Sequence, residues 1–179
     1  MKTQSTISRK LTAGFCTILL ATFVMSCTAP GNNNDLSLAK LKECKLVVTN
    51  SHLLTKNWVY IDRNPDTQDK RALKNIQDEY LPKLQAELME LAKTWNATDS
   101  KELESIFTFV NDSLFACQKE IMKALNSIAN YNDLFTVMEA QSMVEYGNEE
   151  CPDGEEVDAA NKAIARLDKL IEKFGKKTE

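Results

Sequence analysis

Between Gly31 and Gly147 the chain contains no glycine at all. Glycine is the usual supplier of the positive φ that tight hairpins need, so such a stretch argues against a sheet and for long helices. The same stretch is rich in Leu, Ala, Glu, Lys and Gln, which lose little rotamer freedom in a helix. The expected fold class is all-α.

Apolar residues recur at helical spacing in each segment. Residues 36–62 carry Cys44, Val47, Ser51, Leu54, Trp58 and Ile61, spaced 3-4-3-4-3, behind a cap at Asn34 or Asp35. Asn64-Pro65-Asp66 ends this helix, because the residue before a proline is pushed out of the α region. Residues 67–95 carry Leu73, Ile76, Tyr80, Leu84, Leu88, Leu91 and Trp95. Two successive four-residue steps from Tyr80 to Leu88, with Pro82 between them, predict a kink. Asn96-Ala97-Thr98-Asp99 is a turn that offers an N-cap. Residues 100–130 alternate 4-3 without a fault through Leu103, Phe107, Val110, Leu114, Cys117, Ile121, Ala124 and Ile128. After Asn130-Tyr131-Asn132-Asp133 comes a shorter amphipathic piece, 134–146, and then a loop over 147–154. Residues 155–174 close the series with Val157, Ala160, Ile164, Leu167, Ile171 and Phe174, and Gly175 stops the helix.

Sustained 3-4 spacing on four segments is the mark of helices packed side by side at a shallow angle. The architecture expected over 35–179 is an antiparallel up-down-up-down four-helix bundle. The start of the first helix, the 95–100 turn and the C-terminus then share one end. The 62–67 turn, an extra short helix and the irregular 131–154 segment lie at the other.

The start of the chain is of another kind. Lys2, Arg9 and Lys10 precede an apolar run from Leu11 to Met25, and no acidic residue occurs in 1–26. That run is shorter than the ~20 residues of a membrane-spanning helix and ends at small residues, as a cleaved export signal does. Val24-Met25-Ser26-Cys27 resembles the lipobox of bacterial lipoproteins, although Met25 is larger than the residue usual at its position. The resemblance implies that 1–26 is a signal peptide and that Cys27 carries a lipid. Two or three acyl chains, at ~0.8 kcal/mol per buried methylene, would hold such a protein on a membrane. Residues 27–34 then read as a lipidated, polar, helix-averse tether, and the expected location is the cell envelope, on a periplasmic or outer-membrane surface. The extra short helix and loop fall at the membrane-distal end.

Losing the leader takes the basic residues from 22 to 19 against 26 acidic ones, leaving a net charge of about −7. Such a domain is poorly suited to nucleic acid, and no nucleic-acid partner is expected. With Cys16 in the leader and Cys27 lipidated, Cys44, Cys117 and Cys151 remain, an odd number whose disulfide pairing stays open. Cys44 and Cys117 fall on apolar stripes and are expected to pack as small hydrophobes. His52, the single histidine, lies off its stripe with no Cys, His or paired acid one turn away, so a structural or exposed role is expected. The acidic group Glu149, Glu150, Asp153, Glu155, Glu156 and Asp158 lacks the ligand order of a calcium loop and reads as solvated loop and helix cap. No phosphate loop, Ser-His-Asp set or Cys-x-x-Cys occurs, so no catalysis, metal or cofactor is expected.

Two places invite contacts. At the distal end, Trp58, Tyr60, Arg63, Tyr131, Phe135, Met138 and Tyr146 gather aromatics and a cation where a small ligand can sit, with plain capping of the core as the simpler alternative. On the third helix, Phe109, Phe115 and Met122 lie beside the core stripe, where bare apolar area would favour a homodimer.

Asn57-Trp58-Val59-Tyr60-Ile61, followed by Asp69-Lys70, Leu73, Leu81-Pro82, Leu88 and Trp95, is similar to the extracytoplasmic four-helix-bundle sensor domain of bacterial taxis receptors and related kinases. The likeness covers about residues 50–95 and implies ligand sensing outside the inner membrane. Those receptors continue into a second membrane helix and a cytoplasmic output domain. The sequence here ends at Glu179, so signalling inward by this chain alone is not expected. The function expected is a sensor-like, non-enzymatic envelope lipoprotein that binds a small ligand or a partner protein. The alternative is an adaptor that packs helix-to-helix with another envelope component.

Overall fold

A computed structural model describes residues 33–60, 68–127, 134–145 and 155–176. The leader, Cys27, Arg63, Tyr131, Tyr146 and Cys151 lie outside them. The described residues are helical, with no strand among them. Helix α1 runs Asn33–Tyr60. Helix α2, Gln68–Asn75, passes through a π-helical turn at Ile76–Tyr80 into α3, Leu81–Ala92. Helix α4, Ala97–Phe109, passes through a second π turn at Val110–Phe115 into α5, Ala116–Ser127. Helix α6 is Leu134–Glu145, and α7 is Glu156–Gly175. Among the described residues no helix is long and apolar enough to cross a membrane.

The kink expected at Pro82 is a widened turn just ahead of it. Proline has no N–H to give the carbonyl four residues back, and the Leu81 N–H donates to the Ile76 carbonyl, five residues back. Leu103, Phe107, Val110, Leu114, Cys117 and Ile121 are buried as the reading of 100–130 expects, and the departure comes after the second π turn. Its extra residue turns the following chain by roughly 100° relative to a plain α-helix. The inward stripe continues as Leu114, Gln118, Ile121 and Leu125, while Ala124 is only partly buried. A similar shift of phase holds in α1, where Thr55 is buried and Leu54 only partly so. In α7, Glu156, Ala163 and Leu170 face inward, and Val157, Ile164 and Ile171 lie on the flank.

The longest contact is between α1 and α7, and α3, α4 and the second π turn close around them. One end is pinned by side chains from three places. Trp95, after α3, packs against Phe174 of α7 with ring centroids 4.3 Å apart and planes tilted by 47°, and donates its indole N–H to Ser37 of α1 at 3.0 Å. Asn96 caps α4 by accepting from the Asp99 N–H at 3.0 Å, and Lys173 of α7 pairs with Asp99. The start of α1, the 93–96 turn and the end of α7 therefore meet.

Among the described residues the apolar interior comes in two clusters. The larger joins α1, α3, α4, the second π turn and α7 through residues such as Leu41, Val48, Leu88, Leu103, Leu114 and Leu167. The smaller joins the end of α1 to α5 and α6 through Trp58, Val59, Ile121, Leu125, Val137, Ala140 and Val144.

Candidate functional site

Between the two clusters lies a layer of buried polar side chains, drawn from elements across the molecule. Ser51 and Thr55 come from α1, Gln77 from the first π turn, Gln118 from α5 and Glu156 from the first turn of α7. Ser51, Thr55, Gln118 and Glu156 have no exposed surface, and Gln77 retains 7%. Each occupies a core position of its own stripe. Ser51 and Thr55 follow Val48 and precede Trp58, Gln77 falls between Leu73 and Leu81, Gln118 falls between Leu114 and Ile121, and Glu156 stands one turn before Ala160. The stripe rather than the side chain sets the direction, so these polar groups are carried inward.

Once inside, they satisfy one another. Gln77 Nε2 donates to Gln118 Oε1 at 2.8 Å. Gln118 Nε2 donates to Glu156 Oε1 at 2.8 Å and reaches Ser51 Oγ at 3.3 Å. The second carboxylate oxygen of Glu156 meets His52 Nδ1 at 2.6 Å, and the His52 side chain remains 17% exposed at the rim of the layer. Ser51 and Thr55 donate to backbone carbonyls of their own helix. Buried polar groups unpaired in this way would cost about 1–3 kcal/mol each, so the chain of bonds is what makes the layer tolerable.

This corrects the reading of Glu156 as a solvated cap. The Glu156 carboxylate is enclosed, and its neighbour Glu155 takes the N-cap position of α7 without a side-chain bond. Burial pushes the Glu155 carboxyl up from its ordinary pKa, with Asp158 adding to the shift, and its Oε2 is buried without a partner. His52 is the structural residue expected, though its partner, Glu156, was not. Cys44 and Cys117 are buried as expected. Burial raises both thiols to a pKa of about 12, and for Cys117 the nearby Glu156 and Glu155 add to it. At neutral pH these are thiols rather than nucleophilic thiolates. Among the described residues, no group of three or more His, Cys, Asp or Glu is placed to hold a metal.

Of the residues expected at the distal end, Trp58, Tyr60 and Met138 have described side chains. Trp58 is fully buried in the smaller cluster, its indole N–H has no hydrogen-bond partner among the described residues, and Lys70 Nζ lies 6.0 Å from its ring. Tyr60 donates its hydroxyl to the Gln141 carbonyl at 3.0 Å. Met138 is exposed. Of the third-helix flank, Phe115 is buried in the larger cluster, because the second π turn swings it inward. Phe109 and Met122 are partly buried, and Arg166 lies over the Phe109 ring at 6.0 Å.

A feature absent from the sequence-based reading is a groove of about 380 Å3 beside the second π turn. Gln85, Ala86 and Met89 of α3 form one wall, and Glu104, Phe107 and Thr108 of α4 with Asn111 and Asp112 of the π turn form the other. The Gln85 Nε2 is buried without a partner. No family model, curated protein or solved structure matches the chain.

Proposed function

We propose that this is a lipid-anchored envelope protein whose helices form a four-helix bundle that binds a small ligand and performs no chemistry of its own. The four members are α1, α2–α3, α4–α5 and α7 in up-down-up-down order, with α6 as the extra short helix. The Val24-Met25-Ser26-Cys27 run supports the anchor. The protonated buried thiols and the engagement of the single histidine by Glu156 support a binding role over a catalytic one.

The observation that carries the reading is the polar layer. Stability alone does not call for it, since replacing buried ionic and polar sets by apolar residues is often neutral or stabilising. A layer of amides and a carboxylate, entered by π turns on two helices, has alternative hydrogen-bond arrangements that an apolar core lacks. Such an interior suits a protein that changes state when a ligand binds. The test is a thermal-shift survey of the full chain in detergent against amines, amino acids, organic acids and sugars. Specific stabilisation by one class is expected, and no stabilisation by any class would sink the reading. The anchor is tested separately by Cys27→Ala, which should abolish labelling by radioactive fatty acid.

One observation favours a second reading. Leu46 and Leu53 lie one heptad apart on one face of α1 and are 59% and 48% exposed. A helix of a partner protein laid along this face would cover them, which is the adaptor role. Co-purification of such a partner without any thermal shift would favour it.

A further inference from the structure

We propose that the groove between α3 and α4 binds a linear polyamine, an alkyl chain with an ammonium group at each end. This rests on the ligand-binding reading above and names the ligand class. Glu104 and Asp112 both line the groove and stand eight residues apart in the sequence. At 1.5 Å per residue their Cα atoms are separated by roughly 12 Å along the helix. Neither carboxylate has an ion-pair partner among the described residues. The floor includes Phe107, only 6% exposed, and the partly buried Met89. Two unpaired acids separated by an apolar floor match a molecule whose charges are separated by methylenes.

The unpartnered Gln85 amide fits the same ligand. As it stands, Nε2 is buried without an acceptor. Turning the amide over presents Oε1 instead, an acceptor for an internal N–H of a polyamine chain. Other ligand classes fit less well. A divalent cation needs several oxygens converging within about 2.6 Å of one point, and among the described residues no group of three or more His, Cys, Asp or Glu converges in this way. An anion would meet two acids in a lining that contains no Lys or Arg, on a chain of net charge −4. The volume of about 380 Å3 falls in the range of small-ligand sites.

The test is calorimetric titration of the full chain in detergent, at low ionic strength, with spermidine as the probe and butylamine as the single-charge control. One spermidine per chain is expected, with butylamine much weaker. Glu104→Gln and Asp112→Asn should each weaken spermidine binding by about three- to ten-fold, and the double variant by more, as loss of exposed charge-assisted bonds implies. Both side chains are exposed, so helicity by circular dichroism should be unchanged in the variants. The groove proposal is overturned if spermidine does not bind, if butylamine binds as tightly, or if the double variant binds like the parent chain through diffuse charge. A spermidine failure removes the groove alone. The ligand-binding reading falls only if the wider thermal-shift survey also stabilises nothing.

Discussion

Glu156 holds two helices' worth of polar side chains in place, because one carboxylate oxygen serves Gln118 and the other serves His52. Truncation to alanine would leave the buried Gln118 Nε2 only its longer contact to Ser51 Oγ, take away the partner of His52, and leave a void. Glu156→Ala should therefore cost about 2–4 kcal/mol, near the upper end for a single substitution. Glu156→Gln keeps the volume and one acceptor oxygen and should cost clearly less. Urea denaturation ranks the two, and equal midpoints would mean that the layer contributes packing rather than hydrogen bonding. The buried cysteines give a second check at this scale. A pKa raised to about 12 keeps each thiol protonated below that pH, so burial and protonation both suppress alkylation. With iodoacetamide at pH 8, Cys44 and Cys117 should stay unmodified in the native protein and react fully in denaturant, as read by peptide mass spectrometry. Fast labelling of either in the native state would place it outside the interior described above.

At the scale of the helix, phase matters more than boundaries. The expected α6 and α7 segments, 134–146 and 155–174, agree closely with Leu134–Glu145 and Glu156–Gly175, because Gly, Pro and Asn runs mark where helices stop. The polar layer was not legible, and the reason is physical. Apolar periodicity, taken from turn to turn, runs through Cys117 rather than Gln118, Leu54 rather than Thr55 and Val157 rather than Glu156. Polar residues sitting on core positions deflected the stripe by one residue. Gln118 also disguised the double four-residue step from Val110 through Leu114, the pattern that a π turn absorbs. If that turn is one surplus residue taken up by a widened helix, deleting the exposed Asn111 should restore a plain α-helix with both flanks still in register. The deletion variant should keep its helicity and melt no lower than the parent chain, and collapse of the fold would show that the π turn is required for packing. Helix α7 allows a gain as well. Glu155 sits at its N-cap, extended at φ −97° and ψ 125°, without a side-chain bond to the first turn. Glu155→Ser supplies a short acceptor there and removes a carboxyl whose pKa is raised by burial. Because a raised carboxyl pKa makes folding less favourable as pH rises through it, the gain should be larger at pH 7 than at pH 4. Capping alone is worth about 0.5–2 kcal/mol, and an unchanged melting temperature at pH 7 would count against this account of the helix start.

Over the whole molecule, the polar layer divides the interior into two apolar bodies of unequal size, and that division should govern how the protein opens. The larger cluster draws on five elements and is closed at its far end by Trp95, Phe174 and the Asp99–Lys173 pair. The smaller one joins α5 and α6 to the end of α1 and, among the described residues, buries far fewer side chains. Opening free energy follows the apolar area that must be exposed, so α6 and the second half of α5 should open without the rest. Hydrogen exchange read by mass spectrometry should show weaker protection for peptides containing Ile121, Val137 and Val144 than for those containing Leu41, Leu103 and Leu167. The layer itself supplies the control. Gln77→Leu, Gln118→Leu and Glu156→Met together would replace the amide and carboxylate bonds with continuous apolar contact, which often leaves stability equal or higher, while His52, partly exposed at the rim, turns to water. In that triple variant the two bodies become one, and protection in α6 should rise toward that of α1 and α7. Uniform protection in the parent chain would sink the division into two bodies. If instead the parent shows two levels and the triple variant keeps them, the boundary lies in the helix connections rather than in the layer.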